Sequence, residues 1–186
     1  MEIVTGEYVK SLIYSVPFAF YEGAISIFIF CLVTFVAIWG IKRGLRYSSI
    51  VALTEYVVYI YCSTIIFRPS LVKRMYDFHL FWSYSTTING TGSHLEQIVM
   101  NVVFFIPLGF LFRASFKSIS LWKVILGAFL ISTSIEILQF IYRKGFSEID
   151  DIINNVLGSM LGYGIFKSLY FFLRRKKSRL FLEEKI

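Results

Sequence analysis

The 186-residue chain is 56% hydrophobic and 19% aromatic with only 17% charged residues, and its mean hydropathy of +0.67 departs from soluble composition toward a multi-span membrane protein. Its net charge of +7 comes from short basic clusters between oily runs rather than from a polar, aromatic-interleaved surface, which argues for a lipid bilayer as partner and against nucleic acid. Cys31 and Cys62 sit inside apolar runs as packing residues, and neither they nor His79 and His94 have ligand spacing, so no metal and no cofactor is expected.

The first residues, MEIVTGEYVKSLIYSVPF, lack a basic start and read as an interfacial segment closed by Pro17, not as a secretory signal. From Phe18 to Ile41 the run of Phe, Ile, Val and Ala is long enough to cross a hydrocarbon core of about 30 Å, with Glu22 as an interfacial acid near its start. Lys42, Arg43 and Arg46 follow, the mark of an inner connector. A second span, Ile50 to Phe67, ends at Arg68-Pro69 because proline disfavours helix in the residue before it; Glu55 within it either snorkels or lines a cavity. The long connection from Leu71 to Gln97 holds the aromatic run FHLFWSY, Phe78 to Tyr84, whose rings suit either an interfacial anchor or a ligand platform.

The third span, Ile98 to Phe112, contains Asn101, Pro107 and Gly109; the donor lost at Pro107 predicts a kinked or broken helix. The fourth, Trp122 to Tyr142, and the fifth, Asp151 to Leu173, are joined by a brief connector, and a basic tail over 174–186 follows. Twelve Lys and Arg fall on the presumed inner segments against six on the outer ones, which predicts an all-α integral membrane protein of about five spans, N-out and C-in, forming one domain.

Between Ser132 and Gly164 the polar residues fall into register. Glu136, Gln139 and Arg143 recur at i, i+3 and i+7, and Asp151, Asn155, Gly158 and Gly162 at i, i+4, i+7 and i+11, so each set makes one helical stripe. A central Asp facing hydrocarbon costs roughly 2.5–3.5 kcal/mol, so the stripes should face each other or a wet cavity. Gly158 and Gly162 also form a small-xxx-small pattern for close helix approach. Asp150 and Asp151 stand where the fifth span begins, where N-capping and the helix dipole favour a carboxylate. Three readings stay open: a structural hydrogen-bond network, a binding cavity, or an acid–base pair built from Glu136 and Asp150 or Asp151. The absence of a Ser–His or Cys–His pair, of HExxH and of a phosphate loop removes the common hydrolase routes and favours a non-enzymatic role.

At NVVFFIPLGF (Asn101, Pro107, Gly109), SIEILQ (Ser134, Glu136, Gln139) and EIDDIINNVLGSMLGY (Asp150, Asp151, Asn155, Gly158, Gly162) the sequence resembles the VanZ-like family of bacterial membrane proteins, named for a protein associated with teicoplanin resistance. The resemblance covers 78–164. Asn154 stands where that family has an apolar residue, so Asn155 is the matching asparagine, and Leu80 replaces a proline common in the family's loop. The resemblance implies a multi-pass protein of the bacterial plasma membrane that contributes to glycopeptide tolerance through a binding or envelope-modifying role. Its partners would be the bilayer and a lipid-linked cell-wall precursor or the antibiotic. The alternative it leaves is an intramembrane acid–base enzyme acting on a lipid-linked envelope substrate.

Overall fold

A computed structural model describes residues 45–90, 94–116 and 118–183. The interfacial segment and first span expected over 1–41, with Glu22 and Cys31, lie outside the described residues. Helix α1, Leu45–Tyr61, is prolonged by a π-turn over Cys62–Ile66 and stops at Phe67, directly before Arg68-Pro69, as the proline requires. There follow strand β1 (Met75–Asp77), helix α2 (Trp82–Ile88), helices α3 (Leu95–Ser115) and α4 (Leu121–Tyr142), strand β2 (Phe146–Glu148) and helix α5 (Ile149–Glu183).

Among the described residues three helical stretches are long and apolar enough to cross a membrane: Ser48–Ile66, Leu95–Ser115 and Leu121–Tyr142. Their 19 to 22 residues correspond to about 30 Å of helix. Helix α5 is longer, 35 residues, and runs on through the basic stretch that the sequence suggests as a tail. Its first turns carry Asp150, Asp151, Asn154 and Asn155, which makes it the most polar of the long helices and sets it apart from the other three.

Of the kinked or broken third span expected at Pro107, the break does not occur: helix α3 is continuous for 21 residues. A membrane helix tolerates the missing donor where neighbouring elements enclose it, and Pro107 is buried between the nearly inaccessible Phe105 and Leu108. Two residues on, Gly109 lies against α5 so closely that a Cβ there would stand 1.8 Å from the Ser159 carbonyl oxygen.

The same contact repeats from the other side. A Cβ on Gly158 would lie 2.1 Å from the Val102 carbonyl oxygen, and one on Gly162 would lie 1.9 Å from that of Ile106. Helices α3 and α5 therefore meet backbone to backbone, with the Ser159 hydroxyl donating to the Phe105 carbonyl at 3.3 Å. Helix α1 joins through the Tyr56 hydroxyl, which donates to the Phe104 carbonyl at 2.6 Å, and Ala52, Leu53, Tyr56, Ile60, Phe105, Leu108, Leu111, Ala128 and Ile135 form the apolar core. Polarity is inverted relative to a water-soluble bundle: on α4, Leu126, Phe129, Leu130, Ile137 and Ile141 are exposed, whereas Ser132, Glu136 and Gln139 are buried. Such a helix is stable only where its outer face meets lipid. Glu55, on α1, is exposed and lines no cavity with the other acids.

The glycine contacts carry a direct consequence for stability. Gly158→Ala must push α3 and α5 apart or bend them, at a cost of about 1–3 kcal/mol. Gly164→Ala, where a Cβ meets nothing within 4 Å, should be neutral or stabilising by up to about 1 kcal/mol. Thermal unfolding of the two variants in detergent checks the contrast, and equal melting temperatures would refute it.

Candidate functional site

The polar residues gather at the end of the bundle where α1 and α4 finish and α5 begins. Helix α4 ends because Arg143 adopts the left-handed conformation at φ 56°, and the Lys144 N–H then closes onto the Gln139 carbonyl at 2.9 Å. The chain turns, and β2 pairs in parallel with β1, setting Met75 beside Phe146, Tyr76 beside Ser147 and Asp77 beside Glu148. This three-residue pairing ties the long connection to the short one and fixes how α5 enters the bundle.

Two carboxylates clamp the entry. The Glu136 carboxylate accepts the Glu148 backbone N–H at 2.9 Å, while the Ser147 hydroxyl donates to the Glu136 carbonyl at 3.1 Å. Asp150 does not serve its own helix as expected from its position. Its carboxylate accepts the Phe81 N–H at 2.6 Å, the Ser83 N–H at 2.9 Å and the Ser83 hydroxyl at 2.7 Å. Phe81 is the N-cap of α2, so Asp150 caps a different helix across 67 to 69 residues of sequence. One turn along α5, Asn154 is fully buried and its side-chain oxygen accepts the Tyr84 hydroxyl. That bond gives α2 a second hold on α5 and explains an asparagine at a position where an apolar residue would be ordinary.

Between α1, α3, α4 and α5 lies a cavity of about 30 Å³ lined by Asn101, Glu136, Gln139, Asp151 and Asn155, with Thr64, Arg68, Phe104, Phe105 and Ile135. A water needs about 10–15 Å³ by this measure, so the space holds about two waters or one small polar group. Gln97 donates its amide to both Asp151 oxygens, at 3.2 and 3.3 Å. Asn155 donates to the Ser132 hydroxyl at 2.8 Å, and Gln139 to the Thr64 carbonyl at 3.4 Å. Among the described residues the Asn154 Nδ2 and the Asn155 Oδ1 are buried without a hydrogen-bond partner, while the Asn101 amide and the Glu148 carboxylate make no close hydrogen bond and have Asp151 and Gln97, respectively, as polar side-chain neighbours.

Electrostatics concentrates on Glu148, which β2 holds outside the spans. Burial first, then the negative charge of Asp151, pushes its carboxyl up to about 8, with Glu136 and Asp150 adding to the shift. At neutral pH Glu148 is thus largely a neutral acid with a proton to donate.

The structure brings Asn101, Glu136, Gln139, Asp151 and Asn155 to one cavity and sets Asp150 beside it in the α2 cap. Arg143 is not with them. Because α4 ends at Tyr142, the i+7 extrapolation fails, and the Arg143 side chain is exposed, donating to the Val72 carbonyl at 3.4 Å. The basic residue that lines the cavity is Arg68, from the connector after α1. Sequence reasoning also passed over Gln97, Ser132 and Glu148. Of these, only Ser132 carried a signal, since it stands one helical turn before Glu136 on the same stripe. Gly109, Gly158 and Gly162 lie in the α3–α5 contact, and Pro107 is buried on α3 two residues before Gly109. Among the described residues no group of His, Cys, Asp and Glu side chains is arranged to hold a metal ion.

Fold and site together define a helical membrane protein whose apolar helices enclose a small acid- and amide-lined chamber. The chain belongs to the VanZ/LLP1 family: the family model matches residues 18–173, wider than the stretch that carries the motifs. Protein VanZ of Enterococcus faecium is 32% identical over 95 residues, which are 51% of this chain and 58% of that relative. The chain thus spans little more than half the length of that protein. No solved structure matches.

The raised pKa of Glu148 sets the sign of a pH effect. Its folded value of about 8 exceeds the ordinary 4.5, so the folded state holds the proton more tightly than the unfolded chain. The resulting stabilisation is fully present below about 4.5 and is lost as pH rises to about 8. Glu148→Gln should flatten the fall in melting temperature between those limits and gain about 1–3 kcal/mol at the alkaline end. Melting curves from pH 5 to 9 check this, and parallel profiles for the two proteins would contradict it.

Proposed function

We propose that this chain is a multi-pass protein of the bacterial plasma membrane that contributes to tolerance of teicoplanin-type glycopeptides by a non-enzymatic binding or envelope-modifying role. The observation that carries the reading is the chamber's unmatched and weakly matched polar atoms. The Asn155 side-chain oxygen stands buried and unmatched at a space of about 30 Å³, and the Asn101 amide there has the Asp151 carboxylate near it, with no close hydrogen bond. Leaving one such group unmatched costs about 1–3 kcal/mol, which favours a ligand or water as the missing partner. The resistance theme comes from the family's name-bearing member and from the likeness to Protein VanZ. On this reading the partners are the bilayer and a polar group of a lipid-linked cell-wall precursor or of the glycopeptide itself.

A second reading, an acid–base enzyme acting on a lipid-linked envelope substrate, is favoured by one specific arrangement: Glu136 and Asp151 line the same cavity, with Asp150 next in sequence. The two readings part at Glu136. Glutamine keeps the acceptor that holds the Glu148 N–H but cannot exchange a proton. The expected outcome is that Glu136→Gln retains glycopeptide tolerance while Glu136→Ala loses it, both at normal membrane levels. Loss in both variants, with a bell-shaped pH dependence of lipid-precursor turnover by the purified protein, would support the enzyme instead. Full tolerance in both, and in Asp151→Asn, would reduce the chamber to architecture.

The proposed topology has five spans, N-out and C-in, with Trp82 and Arg143 outside and Arg174 to Lys177 inside. It rests on the cation bias of the sequence and on α5 carrying that cluster away from the chamber end. With Cys31 and Cys62 replaced, a cysteine at Ser178 should resist membrane-impermeant reagent in intact cells. Strong labelling there would invert the topology.

A further inference from the structure

We infer that the cationic collar at the chamber end of the bundle, Arg68, Lys73, Arg74, Arg143 and Lys144, is a docking surface for the phosphate of an anionic membrane lipid. The five residues come from two connections that the fold laces together. The Leu71 N–H donates to the Arg143 carbonyl at 2.7 Å, and the Arg143 guanidinium to the Val72 carbonyl at 3.4 Å. The Lys144 ammonium donates to the Arg68 carbonyl at 2.7 Å, and the Arg74 guanidinium lies 5.6 Å from the centre of the Phe140 ring at the end of α4. Lys73 sits between the two residues that make these contacts and is exposed, as are Arg68, Arg74 and Arg143.

Apart from Arg68, which faces Glu136 and Asp151 across the chamber, the charge on this collar is uncompensated among the described residues. None of the five makes an ion pair among the described residues, where His79–Asp77 is the single pair found. The nearby carboxylates are turned inward: Glu136 and Asp150 hold backbone amides, Glu136 and Asp151 face the chamber, and Glu148 is buried. Arg68 reaches them by lining the cavity; the other four cations do not line it. Backbone carbonyls take up one donor each from Arg143 and Lys144 and fix their direction without neutralising them. Guanidinium and ammonium groups held this way are suited to phosphate oxygens, and Arg in particular presents a planar fork to them.

Apolar neighbours name the source of the phosphate. Ile66, Phe67 and Val72 flank the cations and are among the most exposed large hydrophobic residues, Val72 at 90%. Cations directly beside exposed apolar side chains at the end of a spanning helix match the boundary between headgroups and acyl chains, where lipid phosphates lie. A free phosphate would use the cations and leave the apolar flank unused. The basic stretch at the far end of α5, Arg174 to Lys177, lies about 40 Å away at about 1.5 Å per residue and forms a separate surface.

The test is hydrogen exchange on the purified full chain in neutral detergent. It is titrated with short-chain phosphatidylglycerol, with the matching phosphatidylcholine and with inorganic phosphate. Phosphatidylglycerol is expected to slow exchange at 70–76 and 143–146, with an effect that shrinks as salt is raised. Each surface cation contributes about five-fold to such binding. The variant Lys73→Gln/Arg74→Gln/Lys144→Gln should therefore need on the order of 100-fold more lipid, with unchanged exchange in α3 and α5 as the sign that it is folded. Equal protection by phosphatidylcholine or by inorganic phosphate would overturn the inference. So would an unchanged requirement in the triple variant, or a response confined to the basic end of α5.

Discussion

A carboxylate carried into a membrane-spanning bundle has no water to turn to, and the arrangement of this chain follows from where Glu136, Asp150 and Asp151 find donors. Glu136 takes the Glu148 N–H, Asp150 takes three donors from the start of α2, and Asp151 takes the Gln97 amide. The bonds of Asp150 and Asp151 span 54 to 69 residues of sequence and that of Glu136 spans 12, and together they hold both connections at this end of the bundle. The β1–β2 pairing exists to the extent that these anchors hold Glu148 and Asp150 in place. Close approach of α3 and α5 serves the same end: glycine contacts at 158 and 162 draw α5 against α3 and bring Asn101 and Asp151 to one cavity.

Satisfaction is uneven, and the unevenness separates structure from activity. Asp150 is fully engaged, and a network of that kind specifies one conformation. Glu148 is the reverse: its buried carboxylate makes no close hydrogen bond among the described residues, has Gln97 as a neighbouring donor, and has its proton held up to about pH 8 by burial and by Asp151. A purely architectural role accounts for Asp150 and for the Asn154–Tyr84 bond. It gives no reason for the unmatched Asn155 oxygen, or for the weakly matched Asn101 amide, both of which line the chamber. Buried polar groups that are left unsatisfied cost stability, so their presence at one polar space sets the chamber apart from the fully engaged Asp150 network.

How much of this the sequence reveals depends on whether the signal is local. The helices α1, α3 and α4 are legible because an apolar run of 19 to 22 residues has one cheap conformation in lipid. The pairing of Glu136 and Gln139 with Asp151 and Asn155 is legible because helical periodicity puts each pair on one face and lipid forbids that face outside. Extrapolating the first stripe to Arg143 fails because one left-handed residue ends the helix before it, and nothing in the spacing announces that. The break expected at Pro107 fails because tertiary packing outweighs the loss of a single donor. Gln97, Arg68 and the capping of α2 by Asp150 depend on partners dozens of residues away, and the three-residue strands carry no period of their own. Asn154 shows the opposite hazard. Setting it aside for Asn155 because relatives have an apolar residue there overlooks a side chain that is fully buried and bonded to Tyr84.

The two charge systems at this end are separated by sign, acids inward and bases outward, and Arg68 is the residue that belongs to both. Its backbone carbonyl receives Lys144 in the collar while its side chain lines the chamber. Gly145 permits this. Its φ of 142° and the 2.7 Å that would separate a Cβ from the Arg68 Nη1 leave no room for a side chain at the point where the guanidinium passes β2's approach. In water such a long-range coupling between Arg68 and the acids would be screened within about 10 Å. In a low-dielectric enclosure the same guanidinium acts on Glu136 and Asp151 with several times the strength. A shift of the 68–74 connection would change the position of a positive charge at the chamber wall. The connection and the chamber are therefore one electrostatic unit, in which Arg68 is the cation that lines the cavity among the described residues.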